Sequence, residues 1–404
     1  MKSIVLLLLA VVGLSRAGLA DVIVVPDDQP DLQAAIAAAS AGDTVVVRTA
    51  ADQNTGGNGV VLDKALTIVG DPLCEIQVFG FGGGLQLAGP GAGEVVLVGL
   101  SIRYSQVDSS GVPLLYGGGF DAVHLIDCAI RHDNAALTGL ITTSHPAVDL
   151  PTVSELSVVD CDLLGGPAGS DACIPAGVYT NGREGIRAPV ASVLLLDSRV
   201  IGGRGGVGNE FTFDPCPGDL ATWGGRGGDA VVAAEVHSFN STVTGGSGVT
   251  WQSYVSGLCD VGGTLACGTQ PDGARFVVGG VLVEASCSRL TQPDPRISLG
   301  GAWTLDWDPS DPTCVPLGSN CPPGCLALLY AALAHPIDPV PLGTGWSFLD
   351  PSAALLLTTF PAASPFQLVL PVPPAVALLG LPVTAQAMLT TGEPSGPTAG
   401  LVTF

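Results

Sequence analysis

The chain predicts an all-β solenoid with a helical lid at its start and a β-sandwich at its end. Three observations carry this expectation. Six segments share one eight-residue pattern whose fifth residue is always Gly, Asp or Asn. The distance between segments varies while the pattern itself keeps its length. Beyond Arg296 there is no Lys or Arg at all.

Residues 1–20 have the form of a secretory signal. Lys2 is the positive start, Ile4–Val12 is the apolar run, and Gly18-Leu19-Ala20 offers small residues for cleavage. The run is short for a bilayer span. Asp21–Pro26 then reads as a strand. Leu32–Ala39 reads as an Ala-rich helix that starts near Asp31 and stops at Gly42. Asp43–Arg48 returns to strand. A solenoid end exposes core and strand edges, and this helix is placed to cover them.

The repeats follow. They are LTIVGDPL from Leu66, VVLVGLSI from Val95, VHLIDCAI from Val123, LSVVDCDL from Leu156, VLLLDSRV from Val193 and VHSFNSTV from Val236. Positions 1, 3 and 8 are almost all aliphatic, and position 6 is mostly small or apolar. Position 5 is Gly70, Gly99, Asp127, Asp160, Asp197 and Asn240. Gly, Asn and Asp take positive φ most readily. Each segment therefore predicts a strand, a one-residue left-handed bend and a second short strand. One bend recurring along a chain predicts stacked coils.

The stretch VIVVPDDQPDLQAAIAAASAGDTVVVR, followed by KALTIVGD, resembles the opening of right-handed parallel β-helix proteins of the pectin-lyase-like superfold. In that family a capping helix precedes the first coil, and Asn often sits at the bend of later coils. The resemblance implies a right-handed parallel β-helix over residues 21–290. It implies little about activity, because the fold hosts unrelated functions.

Successive bends lie 29, 28, 33, 37 and 43 residues apart. The excess falls after position 8 and before the next strand, so the loops are expected on one side of the stack. They run over Arg103–Asp121, His132–Thr152, Gly165–Ala188, Gly202–Gly227 and Gly245–Arg275. The glycines within them (GGRGGVG from Gly202, GGRGGD from Gly224) read as turns or flexible loop rather than a phosphate cradle, since no strand-to-helix context accompanies them. A seventh coil near Val281–Ala285 fits the pattern less well. Residues 291–404 form a second unit with short apolar runs broken by Pro and Gly, the pattern of a β-sandwich. Its end, Gly380–Met388 and Gly400–Phe404, resembles C-terminal modules of secreted planctomycete-type proteins.

The formal net charge is −22. Such a chain repels nucleic acid and anionic membrane surfaces. The 11 cysteines fit an oxidising compartment and show no zinc pattern. Cys259 and Cys267 bracket one loop, and Cys314, Cys321 and Cys325 crowd another, as expected for loop disulfides. Cys128 and Cys161 occupy position 6 and are expected in the core. An odd count leaves at least one thiol unpaired.

Candidate chemistry is sparse. The acids and bases that β-helix lyases and hydrolases use form no clear set. Arg131-His132-Asp133, just past the third bend, is the best catalytic candidate, offering a base, an acid and a substrate clamp. A polar turn leaving a strand is the preferred reading of it. His124, exposed by alternation, could join it; His145, His237 and His335 read as isolated surface or turn residues. The bend acids could hold Ca2+, yet turn chemistry already explains them. Asp214 and Asp219 delimit a separate candidate Ca2+ loop, and no other cofactor is expected. Tyr179, Trp223, Trp251 and Tyr254 lie in the long loops, where they could stack on sugars or pin the loops down.

The expectation is a secreted or surface protein, without catalysis, that serves as a scaffold or binds a neutral polysaccharide or matrix component through its loops. The alternative is a lyase or glycoside hydrolase of pectin-like polymers.

Overall fold

The computed structural model describes residues 20–48, 59–78, 84–104, 113–132, 145–168, 181–205, 225–248, 273–280, 282–285, 290–310, 324–333, 340–342, 345–349, 354–375, 378–391 and 394–403. It is a parallel β-helix with one capping helix, followed by antiparallel sheets.

Three columns of parallel, in-register strands build the helix. The first runs through Val22–Val25, Thr44–Val47, the start of Thr67–Val78, the start of Glu94–Tyr104, Ala122–Ile126, Glu155–Val159, the end of Ile186–Leu196, the end of Val231–Phe239, and Leu282–Ala285. The second holds the strands after each bend, such as Ala129–Arg131, Asp162–Leu164 and Arg199–Ile201. The third holds the strands that precede the next coil, among them Leu85–Ala88, Leu115–Gly118 and Val148–Asp149.

Inside the columns lies one apolar core. Pattern positions 1, 3, 6 and 8 supply it: Leu156, Val158, Cys161 and Leu163 in the fourth coil, and Val193, Leu195 and Val200 in the fifth. Cys128 and Cys161 are buried there as expected. Helix α1, Leu32–Ala38, closes the first coil and buries Leu32, Ala35 and Ile36. Asp31 caps its start by accepting the Ala34 N–H at 2.7 Å. Lys64 caps its end, donating to the carbonyls of Ile36, Ala37 and Ala39 at 2.8–3.1 Å.

The bends are left-handed as the residue choice predicts. Asp127, Asp160, Asp197 and Asn240 have φ of 48–51°, and Gly99 has 62°. Gly70 departs from the column. Its coil carries three extra residues, 71–73, so Cys74 rather than Asp71 pairs with Leu100 and takes position 6. Cys74 and Ile76 then point into the core.

Position 6 does more than fill space. A bend residue breaks the strand ladder and leaves the next N–H without a main-chain acceptor, which burial makes costly. The side chain of the following coil supplies one. The Cys128 N–H donates to Cys161 Sγ at 3.3 Å, Cys161 N–H to Ser198 Oγ at 3.1 Å, and Ser198 N–H to Ser241 Oγ at 3.0 Å. Each of these side chains donates in turn to the carbonyl two residues back, from 2.7 Å at Ser198 to 3.2 Å at Cys161. The Cys/Ser choice is thus a hydrogen-bond ladder as well as a packing choice.

Beyond residue 290 the strands form a three-stranded antiparallel sheet, a five-stranded largely antiparallel sheet and a two-stranded hairpin. Trp303, Trp307, Phe360 and Ala385 belong to a second core separate from that of the coils. Trp307 meets Phe360 edge-on at 5.5 Å and donates its indole N–H to the Ala362 carbonyl at 3.0 Å.

A third cluster joins the two parts. Val98, Ile126, Leu194, Leu196 and Phe239 point outward from the first column, and Phe348, Ala399 and Leu401 of the C-terminal sheets cover them. The unbroken aliphatic runs of this column, such as VLLL at 193–196, are what a strand buried on both faces requires. Arg296 pins the junction. Its guanidinium lies over Gly99, sits 2.5 Å from the Asp127 carboxylate and donates to the Gly70 carbonyl at 3.2 Å.

Candidate functional site

The long loops leave the second column and return to the third through one seam, and that seam is built almost entirely of main chain. Outgoing segments Gly165–Gly166, Gly202–Gly203 and Gly245–Gly246 interleave with returning residues Arg183, Gly228 and Gly273. One chain of hydrogen bonds crosses them all. Gly166 donates to the His145 carbonyl, Arg183 to Gly166, Gly203 to Arg183, Gly228 to Gly203, Gly246 to Gly228 and Gly273 to Gly246, each at 2.7–3.0 Å. A Cβ added at Gly203 meets the Gly166 oxygen at 1.9 Å, and one at Gly246 meets the Gly203 oxygen at 1.9 Å. These glycines are therefore neither phosphate cradles nor slack. They let extended backbones pack without side chains between them.

The structure separates the members of the catalytic candidate. Arg131 lies on the outward face of the second column, 3.3 Å from the Asp162 carboxylate, which Arg199 of the next coil also approaches at 3.2 Å. All three are about a third to a half exposed, so the ladder adds little stability. His132 points the other way. It is 7% exposed, its ring N–H meets the Pro146 carbonyl at 3.3 Å, and burial holds its pKa down to about 4. A neutral, enclosed imidazole beside a solvent-facing guanidinium shares no reacting space with it. Asp133 lies outside the described residues.

Two other histidines depart from the sequence reading. His124 and His237 do point outward by alternation, but the C-terminal sheets cover that face. His124 is 2% exposed, bonds Ser157 Oγ through Nδ1 at 2.6 Å, and is held at a pKa of about 3 by burial. His237 is fully buried, 2.7 Å from the Glu235 carboxylate and edge-on to Phe348 at 6.0 Å. His145 is half-buried, and burial, then Arg183, lowers its pKa against the pull of Asp149. The signal that sequence reasoning lacked was the same unbroken aliphatic run that marks a two-sided strand.

The bend acids are occupied as turn residues. Asp127 pairs with Arg296, and Asn240 donates to Asp197 at 2.6 Å. Burial raises the Asp160 pKa, with Asp127, Asp197 and Asp294 adding to it; burial also raises Asp197. Among the described residues no group of three or more His, Cys, Asp or Glu side chains is arranged to hold a metal. Asp214, Asp219, Tyr179, Trp223, Trp251, Tyr254 and His335 lie outside the described residues, as do Cys259, Cys267, Cys314 and Cys321. Cys325 is disulfide-bonded. No described helix is long and apolar enough to cross a membrane.

The described surface thus offers a rigid gateway for loops and no assembled catalytic centre among the described residues. In comparisons with family models, curated proteins and solved structures, the chain matches none.

Proposed function

We propose that this is a non-catalytic scaffold, exported by residues 1–20, that presents its long loops as a binding face for a neutral glycan or matrix component. The glycine seam is the observation that carries the reading. It fixes the necks of successive loops at the coil spacing of about 4.8 Å, and a preorganised face loses less entropy on binding. Tyr179, Trp223, Trp251 and Tyr254 supply ring faces for sugar stacking. Asp214 and Asp219 are the place for a structural Ca2+. Residues 21–290 belong, in this reading, to the pectin-lyase-like superfold, and residues 291–404 are a sandwich that braces the rod.

A glycan array and a panel of polysaccharides, assayed for reducing ends and unsaturated products, test it together. Binding without turnover, weakened by Trp223→Ala or Trp251→Ala, is the expected result. Turnover that disappears in Arg131→Ala or His132→Ala overturns the proposal in favour of a lyase or hydrolase.

A further inference from the structure

We propose that Cys128 and Cys161 are a cross-coil oxidation site, closing to a disulfide that staples the third coil to the fourth. The inference rests on the export reading only for its cellular setting; the geometry stands independently of it.

Both cysteines occupy position 6 of neighbouring coils. The strands on either side of them pair in register, Ile126 with Val159 before the bend and Ala129 with Asp162 after it. Directly paired backbones lie about 4.8 Å apart, inside the range of Cα separations that disulfides bridge. Both side chains point into the core, where they are 2% and 3% exposed. They already lie in contact, with Cys161 Sγ accepting the Cys128 N–H at 3.3 Å.

Packing alone does not require sulfur here. Ser198 and Ser241 hold the same position one and two coils on, and a hydroxyl is a stronger donor and acceptor than a thiol. Serine performs the ladder's task better, and sulfur is found at two adjacent rungs. The third core thiol, Cys74, pairs across to Leu100, so a full rung separates it from Cys128. A Cys128–Cys161 bond therefore leaves Cys74 as the odd thiol of the 11, and the other eight can pair among themselves.

The chemistry is thiol–disulfide exchange with an external disulfide oxidant. One thiolate attacks the oxidant, whose S–S bond breaks and releases a thiol. The second thiolate displaces the other half, forming the Cys128–Cys161 bond. The pair loses two protons and two electrons, and the oxidant becomes two thiols. Both thiols are closed off from solvent in the finished core, so the exchange belongs to the period when the coils are closing.

The test uses the full chain, reduced and refolded in a glutathione redox buffer. It is then denatured in acid, alkylated, and cut by a protease that separates Cys161 from Cys173. The expected product is a Cys128 peptide linked to a Cys161 peptide, with Cys74 alkylated. In Cys161→Ser, which keeps the ladder, the linked peptide is lost while circular dichroism is unchanged, and the gap in melting temperature between oxidised and reduced protein narrows. Alkylation of both Cys128 and Cys161 after oxidation, a link from either to another cysteine, or an unchanged gap overturns the staple. Protein recovered from the producing cell under alkylating conditions separates this from export. A link formed in the redox buffer but absent from the cell keeps the site and overturns the export reading.

Discussion

Ser198→Ala isolates the ladder at position 6. The serine is 2% exposed; it accepts the Cys161 N–H at 3.1 Å and shares its one hydroxyl hydrogen between the carbonyls of Leu196 at 2.7 Å and Val158 at 3.1 Å. The two carbonyls are not equal losses to the N–H. Leu196 keeps the Asp160 N–H at 2.9 Å, so its oxygen stays bonded. The Cys161 N–H follows the bend and loses the acceptor that this serine provides. An orphaned buried donor costs about 1–3 kcal/mol, and the lost hydroxyl bonds bring the sum to about 2–4 kcal/mol. Ser198→Cys keeps an acceptor, as Cys161 does for Cys128, and should cost under about 1 kcal/mol by the same reasoning. Urea melts report the sum, and hydrogen exchange at the Cys161 amide reports the cause, rising in the alanine variant alone. Equal stability of the two variants, or an unchanged Cys161 amide, refutes the ladder.

Three further outcomes follow from the same structure. Asp160 sits at φ 51°, so Asp160→Val should cost about 1–2 kcal/mol or more while Asp160→Asn is tolerated; equal melting temperatures would remove the bend from the explanation. Gly203→Ala forces a methyl to within 1.9 Å of the Gly166 oxygen, and should destabilise by about 3 kcal/mol or more, read by thermal melting. His124 is held at about 3 against an ordinary 6.5, so it is neutral in the fold while the unfolded chain takes up a proton. Its contribution is present above about pH 6.5 and drains as pH falls toward 3, at about 1.4 kcal/mol per unit within that window. His132 acts in the same direction, from 6.5 down to about 4. Asp160 and Asp197, with raised pKa values, act oppositely at lower pH. Melting temperature should therefore fall between pH 7 and 5 more steeply in the wild type than in His124→Gln; parallel slopes would show that this buried imidazole is not the cause.

The coils were legible because their signal is local. Aliphatic residues at alternate places and a residue tolerant of positive φ between them are written in eight letters, and the four non-glycine bends obey them. Gly70 did not, because a three-residue insertion moved Cys74 into position 6, and a pattern matched letter by letter does not see an insertion. Alternation aimed His124 outward correctly, and the same rule applies to His237, which the sequence alone presents as a surface or turn residue. The unbroken aliphatic runs beside them mark that face as covered, but not by which segment, because that contact joins residues more than a hundred positions apart. The Gly-rich stretches looked like slack because sequence shows which side chains are missing, not which backbone fills the space. For the candidate site, proximity in sequence misled: Arg131 and His132 are neighbours on a strand end, so alternation sends one out and the other in.

A seam held by amides and carbonyls alone reads nothing of the sequence that passes through it. It asks for glycine at most crossings, Arg183 being the exception, and an extended path on either side. The segment beyond can lengthen, shorten or change its chemistry without disturbing a coil, which is consistent with bend spacings that widen from 33 to 37 to 43 residues across the coils the seam serves. The rod is then a rack of interchangeable sockets, free to vary in what it carries because it has so little to say about it.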